Sequence, residues 1–243
     1  MAGHSHFKKI KYKKALTDKE KGKIFSKMAR LITIAAREGG NPEENPKLRE
    51  AIEKAKAVNL PASNIERAIK RGTGELKGGD LQEILFEAYG PGNIAILIEG
   101  ITDNKNRTLA EIKHILNENG GKLVSEGSVR WLFERKGVIT INAKAQMSNL
   151  KNREELELKV IDAGAEDFLW RGDLLEVHTK IEGLEEVKKK LIEQGIKIES
   201  AGLEWVAKKE ISLPEKEKKA VERLFEILDE NEAVQEIYSN LKV

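Results

Sequence analysis

Three segments in the first third of the chain place apolar residues at helical spacing, each bounded by its own start and stop signals. Thr17 and Glu20 form the S/T-x-x-E pattern that opens a helix, which the glycine pair Gly39-Gly40 should end. Asn45 as cap with Pro46 at the first helical position predicts a second helix past Leu48, Ile52 and Ala55 toward Leu60-Pro61. A third follows at once, with Ser63 and Glu66 as a capping box, Ile65, Ala68 and Ile69 as the apolar edge, and Gly72 as the stop. Three short helices predict a small bundle.

From Leu81 the period becomes strand-like. Leu81 to Tyr89 and Ile94 to Ile101, separated by Gly90-Pro91-Gly92-Asn93, read as a hairpin. Thr108 and Glu111 then predict a helix ending at Gly120-Gly121, and Val129 to Phe133 a strand. Between Val138 and Glu204 the order is strand, helix (Glu154 to Ala163), strands near Phe168 and at Leu175 to Val177, helix (Leu184 to Gln194), and strand from Ile196. That βαββαβ order is the ferredoxin-like pattern. A strand near Trp205 to Leu213, a helix from Pro214 and a strand around Val234 to Tyr238 make a tail too small to stand alone. The expected fold class is α+β with three domains: a helical bundle with its arm at 1–79, a discontinuous α+β domain at 80–137 plus 205–243, and an inserted ferredoxin-like domain at 138–204.

Composition sharpens this picture in two ways. The chain of 243 residues has no cysteine, which excludes disulfides, thiolate metal sites and cysteine nucleophiles. The net charge of +2 also hides an asymmetry: Met1 to Gly78 carries 19 Lys and Arg against 9 acids, and the remainder carries 24 against 32. A basic module joined to an acidic body suits either polyanion binding or contact within the chain, and the acidic α+β surface is a candidate site for a protein partner. No apolar run approaches the roughly 18 residues of a membrane span, and no h-region follows the N-terminal lysines, so a cytoplasmic protein with no membrane contact is expected.

Candidate chemistry lies mostly in the basic part. The first 17 residues lack acids, and Phe7, Lys8, Lys9, Lys11, Tyr12, Lys13 and Lys14 interleave lysines with rings, charges for phosphates and aromatics for bases or sugars. The competing reading is a solvated tail. On the first helix Lys19, Lys23, Lys27, Arg30 and Arg37 fall within about 80° of one another at about 100° per residue, with Ile24, Met28, Leu31 and Ala35 roughly opposite. The expectation is an exposed basic stripe over a buried apolar side. Arg67, Lys70 and Arg71 add a patch on the third helix, a pattern that also serves as ordinary solubilising surface. These are phosphate-type charges, so backbone recognition is better supported than base readout.

The remaining polar features are weaker. Thr102, Asp103, Asn104, Lys105, Asn106, Arg107 and Thr108 form a polar loop entering a helix N-terminus, readable as turn chemistry or as an anion cradle. His4 and His6 lack carboxylate or thiolate partners, and His114 and His178 have none visible, so no metal site and no cofactor are expected. No triad, P-loop or HExxH pattern appears, and no catalytic residue is assigned.

Several stretches together resemble one family. Met1-Ala2-Gly3-His4-Ser5-His6-Phe7, Ile10-Lys11-Tyr12-Lys13-Lys14-Ala15, Gly22-Lys23-Ile24-Phe25-Ser26-Lys27, Asn64 to Lys70, Tyr89-Gly90-Pro91-Gly92, Thr102 to Thr108 and Gly127-Ser128-Val129 closely resemble the YebC family over essentially the whole chain. The resemblance implies three domains, the same organisation the periodicity predicts. It also implies functional weight on Gly3, His4, Ser5, Lys11, Lys13, Lys14, Lys23, Lys27 and the Thr102 to Thr108 loop. His6, Phe7 and Tyr12 stand where the family usually has Lys, Trp and His, which alters the charge and ring chemistry of the arm. The function implied is a non-enzymatic, DNA-binding transcriptional regulator. The alternative it leaves open is a ribosome- or RNA-associated translation factor that acts on elongation by placing its N-terminal domain on the ribosome.

Overall fold

Helix α1 (Asp18–Ala35) continues as a 3-10 turn over Ala36–Glu38. The computed structural model describes residues 18–146 and 153–242; the arm from Gly3 to Lys14 and the expected Thr17 cap lie outside them. Helix α2 spans Pro46–Ala57, and Asn45 caps it by accepting from the Leu48 N–H at 3.0 Å. The Asn45 amide also donates to the carbonyls of Ala35 and Gly39, 2.8 Å each, tying the end of α1 to the start of α2. Helix α3 spans Ala62–Gly72. Its expected Ser63–Glu66 box does not form. The helix starts two residues early, with Pro61 at the cap position and its carbonyl accepting from Asn64 and Ile65 N–H, so Ser63 falls inside the first turn. Ile32, Leu48, Ala55, Ile65 and Ala68 form the bundle core.

Gly72 sets the approach of α1 and α3. A Cβ at this position would lie 2.4 Å from the Thr33 carbonyl oxygen and 2.6 Å from Ala36 Cβ, so only glycine fits the crossing. Thr33 Oγ1, near the same crossing, lies 3.2 Å from the Ala68 carbonyl.

The first sheet has the order β3 (Lys122–Val124), β1 (Gln82–Tyr89), β2 (Ala95–Thr102) and β8 (Val234–Ser239). Its hairpin is β1 (Gln82–Tyr89) with β2 (Ala95–Thr102), close to the predicted limits, joined by a turn in which Gly92 takes φ 66°. Helix α4 (Lys105–Glu118) starts earlier than predicted, with Asn104 as the cap in place of Thr108. Strand β3 (Lys122–Val124) was not predicted, and the strand expected at Val129 to Phe133 is instead a 3-10 turn over Arg130–Leu132. The other two members of this layer come from the end of the chain, helix α7 (Glu215–Glu230) and strand β8 (Val234–Ser239). Val221, Leu224, Phe225 and Leu228 of α7 pack with Ile112 and Leu116 of α4 on Ile84, Ile96, Ile98 and Ile237.

The second sheet is built from β4 (Phe133–Asn142), β5 (Asp167–Arg171), β6 (Leu174–Thr179) and β7 (Ile198–Ala207), with α5 (Arg153–Ala163) and α6 (Leu184–Glu193) on one face. Its order β5-β6-β4-β7, antiparallel throughout, is the ferredoxin-like arrangement. Strands β4 and β7 pair without a break from Phe133↔Ala207 to Gly137↔Leu203 and on to Thr140↔Ser200, so the expected junctions near 137 and 204 lie inside paired strands.

That shared ladder joins the two sheets. Its Phe133, Trp205 and Ala207 end covers the outer face of the first sheet at Ala95, Leu97 and Tyr238. Glu99 pins the contact, accepting from Arg135 Nη1 and Trp205 Nε1 at 2.8 Å each and from the Tyr238 hydroxyl at 3.2 Å. Burial, with the nearby carboxylates of Glu236 and Glu99, holds the Tyr238 phenol well above its ordinary pKa, so it stays a donor.

Candidate nucleic-acid interface

The basic face of α1 forms as the spacing predicts, but its centre at Lys27 and Arg30 is largely withdrawn from solvent. It lies over the C-terminal end of α7. Lys27 is only 4% exposed, and its Nζ donates to the Asp229 carbonyl at 2.6 Å and to the Asp229 carboxylate at 3.0 Å. Arg30 Nη1 donates to the Ile101 and Glu232 carbonyls at 3.1 and 3.3 Å, and Nη2 reaches the Glu232 carboxylate at 3.3 Å. Lys23 approaches Glu230 at 3.9 Å, and Arg37 pairs with Asp80 at 2.8 Å. For Lys23, Lys27 and Arg30 the exposed stripe is therefore corrected to an internal joint, while Arg37 stays exposed. A helix C-terminus offers unpaired carbonyls and partial negative charge, and Asp229, Glu230 and Glu232 reinforce it, so the basic bundle meets its counter-charge within the chain. The Lys19 side chain is outside the described residues.

The patch on α3 is different. Arg67, Lys70 and Arg71 are exposed, and none of the three has an ion pair among the described residues. At i, i+3 and i+4 they share one face of the helix. Beside them, a cleft of about 180 Å³ opens between α1 and α3, lined by Phe25, Ser26, Ala29, Asn64, Arg67 and Arg71.

The 102–108 loop closes on itself. Thr102 Oγ1 accepts from the Asn104 N–H at 3.0 Å and lies 2.8 Å from Thr108 Oγ1, while Asn104 accepts from the Arg107 N–H at 3.0 Å. Arg107 pairs with Asp103 at 2.6 Å and lies 3.8 Å from Glu111. Thr108 is buried, so it packs inside the helix as Asn104 takes the cap. The first-turn amide of Arg107 is occupied by a side chain of the loop, and the geometry is that of a turn abutting the Arg30 joint at Ile101. Lys105 and Asn106 remain exposed.

Sequence reasoning missed a further arrangement at Gly127-Ser128-Val129. The Glu87 carboxylate accepts from the main-chain N–H groups of Gly127 (2.6 Å), Val129 (2.6 Å) and Arg130 (2.9 Å). Burial opposes its charge, but the three amides and Arg130 outweigh that and hold the carboxyl below its ordinary pKa. The turn thus fixed displays Trp131, which is 65% exposed, while Arg130 lies 5.0 Å from the Trp205 ring centre. The available signal was an acid at an inward position of β1, two residues from Leu85 and Tyr89 on the same face.

Among the described residues no three His, Asp or Glu side chains come close enough to hold a metal ion, and no helix is long and apolar enough to cross a membrane. His114 is exposed on α4. His178 is buried in β6, where burial lowers its pKa despite Glu176 and Asp167 nearby.

Comparison with known proteins places this architecture. Residues 5–75 match the TACO1/YebC N-terminal domain, and residues 81–241 match the TACO1/YebC second and third domain. The chain belongs to the TACO1/YebC family. Relatives of this family named "probable transcriptional regulatory protein" include one from Halothermothrix orenii, 46% identical with all of this chain and 96% of that protein aligned. Another, from Thermotoga maritima, is 47% identical over all of this chain and 94% of its own length. The crystal structure of a conserved hypothetical protein from Aquifex aeolicus is 42% identical and superposes with a TM-score of 0.85, covering 98% of this chain and 97% of that one. Of the residues weighted by the YebC resemblance, Gly3, His4, Ser5, Lys11, Lys13 and Lys14 lie outside the described residues, and Lys23 and Lys27 belong to the joint.

Proposed function

We propose that the protein is a non-enzymatic cytoplasmic regulator that binds nucleic acid, engaging the phosphate backbone of DNA through α3 and the N-terminal arm. The observation that carries this reading is the exposed face of Arg67, Lys70 and Arg71, which has no ion pair among the described residues, whereas Lys27 and Arg30 of α1 are taken up by the joint. The relatives named probable transcriptional regulatory proteins support the regulatory, transcriptional part. Cations at this spacing contact phosphates and confer salt-dependent affinity with little sequence preference. The acidic α+β surface is left for a protein partner.

The direct test is the triple variant Arg67→Glu, Lys70→Glu, Arg71→Glu, titrated with duplex DNA at fixed salt. Affinity should fall at least tenfold, and the slope of log K against log salt should shrink by about two to three. Unchanged affinity would count against the reading. A second reading, RNA of the ribosome, is favoured by the cleft beside the same arginines. Co-sedimentation with ribosomes from nuclease-cleared lysate, lost in the same triple variant, supports that reading.

A further inference from the structure

We propose that the cleft between α1 and α3 is a subsite for one unstacked nucleotide of a single strand, taking the base between the helices while Arg67 and Arg71 hold the flanking phosphates. This rests on the nucleic-acid reading above and goes further, because backbone contact alone needs no cleft.

Three features of the cleft support it. Helices α1 and α3 are held together at Thr33, Ala36 and Gly72, and one to two turns earlier the small residues Ala29 and Ser26 leave the gap open. Its volume of about 180 Å³ falls below the roughly 300–1,000 Å³ of pockets for drug-sized ligands, which suits one planar ring system. The lining also divides by chemistry. Phe25 offers an aromatic surface, Ser26 and Asn64 offer hydroxyl and amide groups to a base edge, and Arg67 and Arg71 stand at the rim, one turn and about 6 Å apart.

A duplex cannot present a base to such a slot without unstacking it, whereas loops and single strands present bases already splayed. Stacking on an aromatic ring tolerates any base, so the subsite adds affinity for single strands and little sequence preference. Without a base in the cleft, the two arginines would treat duplex and single strand alike.

The test uses the full chain with labelled oligouridine, oligodeoxythymidine and a duplex of matched length. Ala29→Leu and Ser26→Leu fill the cleft without changing charge. Each should weaken single-strand binding about tenfold with an unchanged salt slope, and leave duplex binding within about twofold of wild type. A preference of the unaltered protein for oligouridine over oligodeoxythymidine assigns the nucleotide to RNA; equal binding assigns it to any single strand. Filled variants that bind single strands like wild type, or that lose duplex binding by the same factor, overturn the proposal. Since a filled variant can also disturb the bundle, photo-crosslinking of 5-iodouridine oligomers to the unaltered protein supplies a second measurement. The crosslink should fall on Phe25, and crosslinks confined to other residues overturn the subsite. If the Arg67, Lys70, Arg71 triple variant keeps full affinity for every probe, the nucleic-acid reading itself fails, a result distinct from failure of the cleft alone.

Discussion

Lys27 Nζ donates to the main-chain oxygen of Asp229 at 2.6 Å and to its carboxylate at 3.0 Å, across 202 positions of the chain. Both side chains are largely withdrawn from water, 5% and 15% exposed, so removing Lys27 takes the cation away from a poorly hydrated carboxylate and a helix-end carbonyl. Lys27→Met should therefore lower the stability of the docked bundle by about 2–3 kcal/mol, somewhat below the cost of breaking a fully buried pair. Lys23→Met removes only a 3.9 Å contact to an exposed Glu230 and should change it by less than about 1 kcal/mol. Urea unfolding, together with protease sensitivity of the connection near residues 73–81, measures both. Equal, small effects at the two positions would mean that the α1 face is free of the body.

The contrast between these two lysines marks where the sequence stops being informative. Their angles on α1 are readable, because helical periodicity fixes which side chains share a face. Whether that face meets water or another helix is decided by the docking of α7, which local spacing does not contain. Other differences have similar causes. Asn104 and Thr108 both carry capping chemistry, and the turn at Asp103 favours the first while Thr108 is drawn inward to Thr102. Strand β3 has three residues, too few to show a period, and exists because Lys122 to Val124 pair with the end of β1. The α3 patch and the resemblance motifs were legible; the cleft beside that patch arises from the approach of two helices separated by α2.

Gly72→Ala tests that approach. Alanine has the better helix propensity by about 1 kcal/mol, but its Cβ would meet the Thr33 carbonyl and Ala36 Cβ at 2.4 and 2.6 Å, so strain should dominate. Net destabilisation of about 1–3 kcal/mol is expected by thermal or urea unfolding. A variant as stable as wild type would show that α1 and α3 separate freely.

Glu87 should make part of the stability depend on pH. Its carboxyl is held below the ordinary value in the fold, so its contribution is present above the unfolded pKa, near 4.5, and is lost as pH falls through the lower folded value. Glu87→Gln should cost about 2 kcal/mol at neutral pH, through the loss of charge-assisted bonds to Gly127, Val129 and Arg130. Below pH 4.5 the difference between the two proteins should narrow, as read from melting temperatures across a pH series. A constant gap down to pH 3 would contradict the charge-based account.

The last expectation concerns independent folding. Division into residues 1–79, 80–137 with 205–243, and 138–204 is proposed on the grounds of which core each segment joins, even though β4 and β7 run through both boundaries. Ile139, Ile141, Leu156, Val160, Leu175, Val177, Val187 and Leu191, which fill the second sheet's core, all lie within 138–204, so this fragment should fold alone with a cooperative transition. The reciprocal variant removes the insertion and joins Gly137 to Leu203, which face each other in the ladder, through a two-residue Asn-Gly turn. It keeps the Phe133 and Trp205 end that covers the first sheet, the Glu99 contacts to Arg135 and Tyr238, and α7 with its Lys27 joint. It should therefore retain cooperative unfolding and a docked bundle. Residues 81–134 alone lack β8 and α7, leaving Ile96, Ile98 and Ile112 without their cover, and should not fold. An unfolded 138–204 fragment, or a rejoined chain without a cooperative transition, would show that the two sheets form one folding unit through the shared β4–β7 ladder.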